Sequence, residues 1–260
     1  MKRAAIVVVV ISVVLTSCSH AAKPSATART GSLPSILVFT RTRGFHHSSI
    51  PAAIAAIKQL GQRNGFAVDA SADPSLFTDA RLARYKAVVF LLTTGDVLDD
   101  EQQAVFQRYI EHGGGFVGVH SATDTEYGWP WYGELVGAFF KNHPKIQRAS
   151  VLVRDRTLAA TAALPGRWVR TDEWYSFRSN PRDLRVEVLL TLDEASYQGG
   201  SMGADHPIAW RHAYDGGRAW YTAMGHSSSA YSEPMFLSHL LRGILYASKL
   251  ESTGCPPPQV

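Results

Sequence analysis

Gly114-Gly115-Phe116-Val117-Gly118-Val119-His120-Ser121-Ala122 decides the fold of this chain. Gly115 to Val119 is a short, unbroken apolar run, as expected of a strand buried on both faces. It stops at His120, which is flanked by small residues. Gly118-Val119-His120-Ser121-Ala122 has the Gly-x-nucleophile-x-small form of a strand-to-helix elbow, which presents one side chain at the top of a sheet.

The residues before the elbow repeat one theme. Asp99 to His112 reads as a helix capped by Asp99 and stopped by Gly113-Gly114. Ala87 to Leu92 is a second buried strand, and Phe66-Ala67-Val68 a shorter one. Ser48 to Asn64 reads as a helix with Ser48 as N-cap and Pro51 in its first turn, its apolar residues Ile54, Ile57 and Leu60 at helical spacing. The series begins with Ile36-Leu37-Val38-Phe39, a strand that opens the domain at Ser35. Strands alternating with helices predict a mainly parallel sheet flanked by helices, with ligands beyond the carboxyl ends of its strands. After the elbow the pattern becomes β-rich. Pro207 to Ala213 and Arg218 to Met224 alternate around Asp215-Gly216-Gly217, which predicts a hairpin, and Pro234 to Lys249 is a last helix.

Composition sets the class. The chain has 260 residues, 45% hydrophobic and only 18% charged, with no repeat, as suits one globular α/β domain. The net charge of +4 includes Lys2 and Arg3; without them 24 basic residues face 22 acidic ones, dispersed along the chain. That balance argues against nucleic acid as a partner.

The N-terminus reads as an export signal. Lys2-Arg3 precedes an apolar run from Ala4 to Leu15, too short for a membrane span but suited to a signal peptide. The run ends in Leu15-Thr16-Ser17-Cys18, which looks like a bacterial lipobox. Residues 1–17 are thus expected to be a lipoprotein signal peptide, with Cys18 as the lipidated first mature residue. Residues 18–34, rich in Ala, Ser, Thr and Pro, read as a flexible tether, 35–250 as the domain and 251–260 as a Pro-rich tail. The expected location is the extracytoplasmic face of the cell membrane, held by the lipid. With Cys18 acylated only Cys255 remains, so no intrachain disulfide forms.

Candidate functional residues gather at the predicted strand ends: His46-His47 after the first strand, His120 at the elbow, then Asp124, Tyr127, Trp129 and Trp131. Glu173-Trp174, His206 and His226 follow in the β-rich half. Imidazole beside carboxylate suits general acid–base work, and the aromatics suit a sugar face. His112, His143, His212 and His239 have no special context and read as structural. The same groups suit zinc or a similar ion, yet no His-Glu-x-x-His or other ligand spacing is present. The expectation is therefore no resident metal, with a divalent ion as the alternative.

Five segments in order resemble the ThuA-like (trehalose-utilisation) family: Arg43 to His47, Gly114 to Asp124, Asp172 to Tyr175, His206 to Trp210, and Tyr221 to His226. The resemblance spans about residues 35–249. It implies a fold similar to the class I glutamine amidotransferases and a role in the use of trehalose or related disaccharides. In those amidotransferases the elbow residue is a cysteine, where this chain has His120. Imidazole forms no stable thioester, so glutaminase activity is not expected. The function expected is an enzyme acting on a sugar or keto-sugar through His120, Glu173 and His226, with His46, His47, Asp124, Tyr127, Trp129, Trp131, Trp174 and His206 binding substrate. Two alternatives stand beside it, a non-catalytic carbohydrate-binding lipoprotein and a metal-dependent hydrolase.

Overall fold

The structure is a computed structural model that describes residues 32–156 and 161–251. The signal peptide, Cys18, and nearly all of the tether and Pro-rich tail lie outside the described residues. Among the described residues no helix is long and apolar enough to cross a membrane.

The first half runs β1 (Ser35–Phe39), α1 (Ile50–Asn64), β2 (Ala67–Ser71), α2 (Asp79–Leu82), β3 (Tyr85–Leu91), α3 (Asp100–Glu111) and β4 (Gly115–Val119). Then come α4 (Pro130–Val136), β5 (Phe140–Asn142), β6 (Gln147–Val153), β7 (Arg167–Asp172) and β8 (Ser176–Phe177). The chain ends with β9 (Glu187–Asp193), β10 (Pro207–Tyr214), β11 (Gly217–Thr222) and α5 (Pro234–Ala247).

Nine strands form one sheet in the order β2-β1-β3-β4-β11-β10-β9-β6-β7. From β2 to β11 neighbours are parallel; from β11 onward every pair is antiparallel. The sheet is thus mainly parallel in its helix-flanked half and β-rich in its second half. The predicted β10–β11 hairpin is the seam between them, because β11 pairs with β4 on its other side. Its turn, Asp215-Gly216, has positive φ at both residues, the mirror-image turn that matches strand twist.

Helices cover both faces. Trp220 of β11 packs against Gly243 of α5, and a Cβ on that glycine would lie 2.3 Å from the indole. Its neighbour Tyr221 points the opposite way, against Trp210, whose indole N–H donates to Val136 at the end of α4. Phe90, Phe106 and Phe116 pack together from β3, α3 and β4.

The helix signals hold with one shift. Asp99 caps α3 in a reciprocal capping box with Gln102. The cap position of α1 is Ser49 rather than the expected Ser48, and Ser49 makes no cap bond. Its hydroxyl instead donates to the carbonyl of His226 at 2.7 Å. The start of α1 is thereby tied to the loop after β11.

Candidate functional site

The elbow is formed, and it is strained. His120 has φ of 53°, a left-handed conformation that is uncommon for a residue with a side chain and costs on the order of 1–3 kcal/mol. Three bonds hold it. Its Nδ1 donates to the carbonyl of Ala223 at 2.7 Å, and its own carbonyl accepts from Tyr221 Oη at 2.8 Å and Thr123 Oγ1 at 3.4 Å. A carbonyl can only accept, so Nδ1 carries a proton and Nε2 faces the site.

Three other residues meet that nitrogen. His226 Nδ1 lies 3.2 Å from His120 Nε2. Glu173 Oε2 lies 3.3 Å from His120 Nε2 and 3.2 Å from His226 Nδ1. His47, buried, sets its ring edge-to-face against both histidines at 5.0 and 5.2 Å, and its Nδ1 has no hydrogen-bond partner among the described residues. The four groups His47, His120, Glu173 and His226 offer ligand atoms within 4.8 Å of one another. They come from the carboxyl ends of β1, β4, β7 and β11, where the topology places a ligand site.

A buried carboxylate fixes this convergence. Asp172, at the end of β7, accepts from the backbone N–H groups of Glu173 and His226 through one oxygen, at 2.9 and 3.1 Å. Through the other it accepts from Gly225 N at 2.9 Å and Arg170 Nη1 at 2.6 Å. Gly225 has φ of 110°, and a Cβ there would lie 2.8 Å from Tyr231 Oη, so this turn requires glycine. Arg170 bridges onward to Glu233 before α5.

The electrostatics follow from this packing. Burial lowers His47 to about 3, helped by the neighbouring imidazoles. Burial alone would raise Glu173, but the adjoining imidazoles of His120 and His226 outweigh it and hold the carboxyl below the usual range. The bond that His226 gives to Glu173 raises His226 above the ordinary imidazole value.

Around the four groups lies a partly open rim. His143 Nδ1 sits 3.3 Å from Glu173 Oε1 and is 37% exposed, against 20% for His226 and 9% for Glu173. Tyr175 covers His120 at 4.2 Å, and Phe140 covers Tyr175 at 4.3 Å. Phe45 meets His47 edge-on at 4.8 Å yet is 64% exposed, an apolar surface beside the opening. Asp124 accepts from Tyr127 Oη at 2.7 Å, and Arg178 lies over the Tyr127 ring at 4.0 Å. Burial raises the Asp124 carboxyl.

The other expected site residues are placed elsewhere. His46 is exposed and hydrogen-bonded to Thr42 Oγ1, one residue outside the cluster. His206 is buried behind Tyr175, donating from Nε2 to its carbonyl at 2.8 Å while Nδ1 meets Glu194 at 2.8 Å. It supports the wall rather than lining it. Trp174 is fully buried, its indole donating to the Gln147 carbonyl; its size makes it core. Trp129 and Trp131 stack on each other, and Trp131 contacts Phe106, Tyr214 and Asp215. Asp215 precedes the β11 end that pairs with Gly115, the start of β4, so Trp131 sits at the opposite edge of the sheet from His120. These tryptophans do not wall the site.

Sequence reasoning took His143 as structural. Its partner Glu173 is 30 residues away, and the small β5–β8 ladder brings their two segments together. No local pattern could have revealed that contact. The meeting of the four cluster residues leaves no ligand spacing in the sequence either, since each comes from a different strand end.

Fold and site together define a helix-flanked α/β protein with a histidine–carboxylate cluster at the carboxyl edge of its parallel strands. The chain belongs to the ThuA family, described as trehalose utilisation, which matches residues 35–247. Solved structures agree on the fold. A ThuA-like protein from Bacteroides uniformis is 25% identical, covering 85% of this chain and 94% of its own, with a TM-score of 0.70. One from Parabacteroides merdae is 21% identical, covering 86% and 93%, with a TM-score of 0.71. A β-galactosidase from Bacillus circulans shares the fold alone, at 11% identity and a TM-score of 0.51, over 84% of this chain and 30% of that one. No curated protein matches the chain.

Proposed function

We propose that this chain is an exported, lipid-anchored enzyme of trehalose-related metabolism that acts on a disaccharide or its keto form by acid–base chemistry. The membership in a trehalose-utilisation family supplies the substrate class. One observation carries the catalytic reading: His120, Glu173 and His226, remote in sequence, bring Nε2, Oε2 and Nδ1 within 3.3 Å of each other under a partly open rim.

In this reading the sugar enters past His143 and His226, with Phe45 taking an apolar face of the ring. Glu173 links His143 on one oxygen to His120 and His226 on the other. A proton taken from a sugar hydroxyl or carbon acid has a carboxylate–imidazole pair to receive it, and a second imidazole to return it. Positioned proton transfer of this kind contributes about 10²–10⁴-fold in rate. The described residues hold no cysteine, and His120 occupies the elbow, so an acyl-enzyme route through a thiolate has no nucleophile here.

The test incubates the protein with trehalose, related disaccharides and their keto derivatives and separates the products by chromatography. Conversion of one of them, lost in Glu173→Gln, is the expected result. Tight binding without conversion would replace the enzyme with a carbohydrate-binding lipoprotein.

A further inference from the structure

We infer that His47, His120, Glu173 and His226 hold a divalent transition-metal ion of the zinc type. The inference deepens the proposed site and rests on that reading for its role in sugar chemistry. Its geometric basis is separate.

The argument starts from three distances. His120 Nε2, His226 Nδ1 and Glu173 Oε2 form a nearly equilateral triangle with sides of 3.2, 3.2 and 3.3 Å. Charge-assisted hydrogen bonds between imidazolium and carboxylate run at about 2.7–2.9 Å, so all three sides are too long for good ones. A tetrahedral ion with bonds of about 2.0–2.1 Å to nitrogen and oxygen holds its ligand atoms about 3.3 Å apart. The triangle therefore has the size of one face of such a tetrahedron.

The atoms also point correctly. His120 Nδ1 donates to the Ala223 carbonyl, which leaves Nε2 with its lone pair toward the triangle. Metal-bound histidines are typically fixed this way, by a carbonyl or carboxylate on the far nitrogen. With no cation present, that lone pair would face a carboxylate oxygen. His47 stands within 4.8 Å of the other ligand atoms, buried, with a ring nitrogen that has no partner among the described residues. It is placed to close the fourth corner. Three imidazoles and one carboxylate are a donor set that suits zinc, while calcium and magnesium favour oxygen.

The ion also divides the labour within the site. His120, His226 and Glu173 Oε2 face it, and His143 on Glu173 Oε1 stays at the exposed rim as the group free to exchange a proton with substrate. A bound zinc-type ion would supply Lewis-acid polarisation of a sugar oxygen beside it.

The test strips the full chain with a chelator and titrates it with Zn²⁺ by calorimetry, then records the visible spectrum after Co²⁺ is added. One equivalent of Zn²⁺ per chain and intense tetrahedral-type Co²⁺ bands are expected. Glu173→Gln and the partly exposed His226→Gln, each checked for folding by circular dichroism, should weaken Zn²⁺ at least tenfold. His112→Ala, an exposed histidine at the end of α3, should bind like wild type. Wild type that takes up no stoichiometric Zn²⁺, or folded Glu173→Gln and His226→Gln that bind at full affinity, overturns the inference. Sugar conversion by the chelated protein would also overturn it while leaving the acid–base reading intact. Zn²⁺ uptake without any sugar conversion would do the reverse.

Discussion

Replacing Asp172 with asparagine should both destabilise the domain and loosen the site. The carboxylate is 1% exposed and accepts four hydrogen bonds, three from backbone and one from Arg170. Asparagine keeps one acceptor oxygen and turns a donor toward the remaining N–H groups. Removing one partner of a buried ion pair costs about 3–5 kcal/mol. Arg170 retains Glu233 at 2.9 Å, which places the loss at the low end, about 3 kcal/mol. For a domain of this size that corresponds to a fall in Tm of about 6–12 °C. Because the same oxygens anchor the N–H groups of Glu173 and His226, metal or sugar affinity should fall at least about tenfold in the protein that remains folded at 20 °C. Thermal unfolding by circular dichroism and calorimetric binding measure the two effects. Asp205→Asn, which disturbs the exposed pair with Arg182 and a hydrogen bond from Asn180, should cost no more than about 1 kcal/mol. A Tm for Asp172→Asn within about 2 °C of wild type, or undiminished affinity, would refute this account of how the site is held.

Three further outcomes are expected. His239 is buried against Trp220 and Thr222 with Arg170 nearby, and burial keeps it neutral down to about pH 3 against an ordinary value of 6.5. Its contribution to stability is complete above pH 6.5 and declines by up to about 1.4 kcal/mol per unit between pH 6.5 and 3, where only the unfolded chain binds the proton. His239→Leu should flatten the pH dependence of the urea midpoint by about one proton, and an unchanged slope counts against the argument. Phe45→Ala should leave Tm unchanged, because the ring is largely exposed, while raising KM for the sugar several-fold; an unchanged KM would remove Phe45 from the site. Cys18→Ala should shift the protein out of the membrane fraction, and unaltered partitioning would end the lipoprotein reading.

The parallel half of the fold was legible because β1, β3 and β4 are buried on both faces and so read as continuous apolar runs, and because Asp99 announces its helix. The strand β7 escaped notice for a physical reason. In β7 the inward positions are Trp168, Arg170 and Asp172, so the buried face is partly charged and the hydrophobic alternation vanishes. The histidines of the site were legible through the elbow and the strand ends. Trp129, Trp131 and Trp174 misled because an aromatic residue looks alike in a sugar-binding wall and in a core. Only the third dimension shows which edge of the sheet it occupies. His143 and the compact triangle of His120, His226 and Glu173 atoms depend on the β5–β8 ladder and the Asp172 anchor, which join segments far apart along the chain.

The central claim is that sugar chemistry takes place at Glu173 and its histidines, and comparative turnover tests it most directly. Wild type and Glu173→Gln are assayed side by side on the disaccharide or keto-disaccharide that wild type converts, with Tm measured on the same samples. The account predicts a fall in kcat/KM of at least about 10²-fold while the variant stays folded. A folded Glu173→Gln protein that turns over the sugar within twofold of wild type would contradict it.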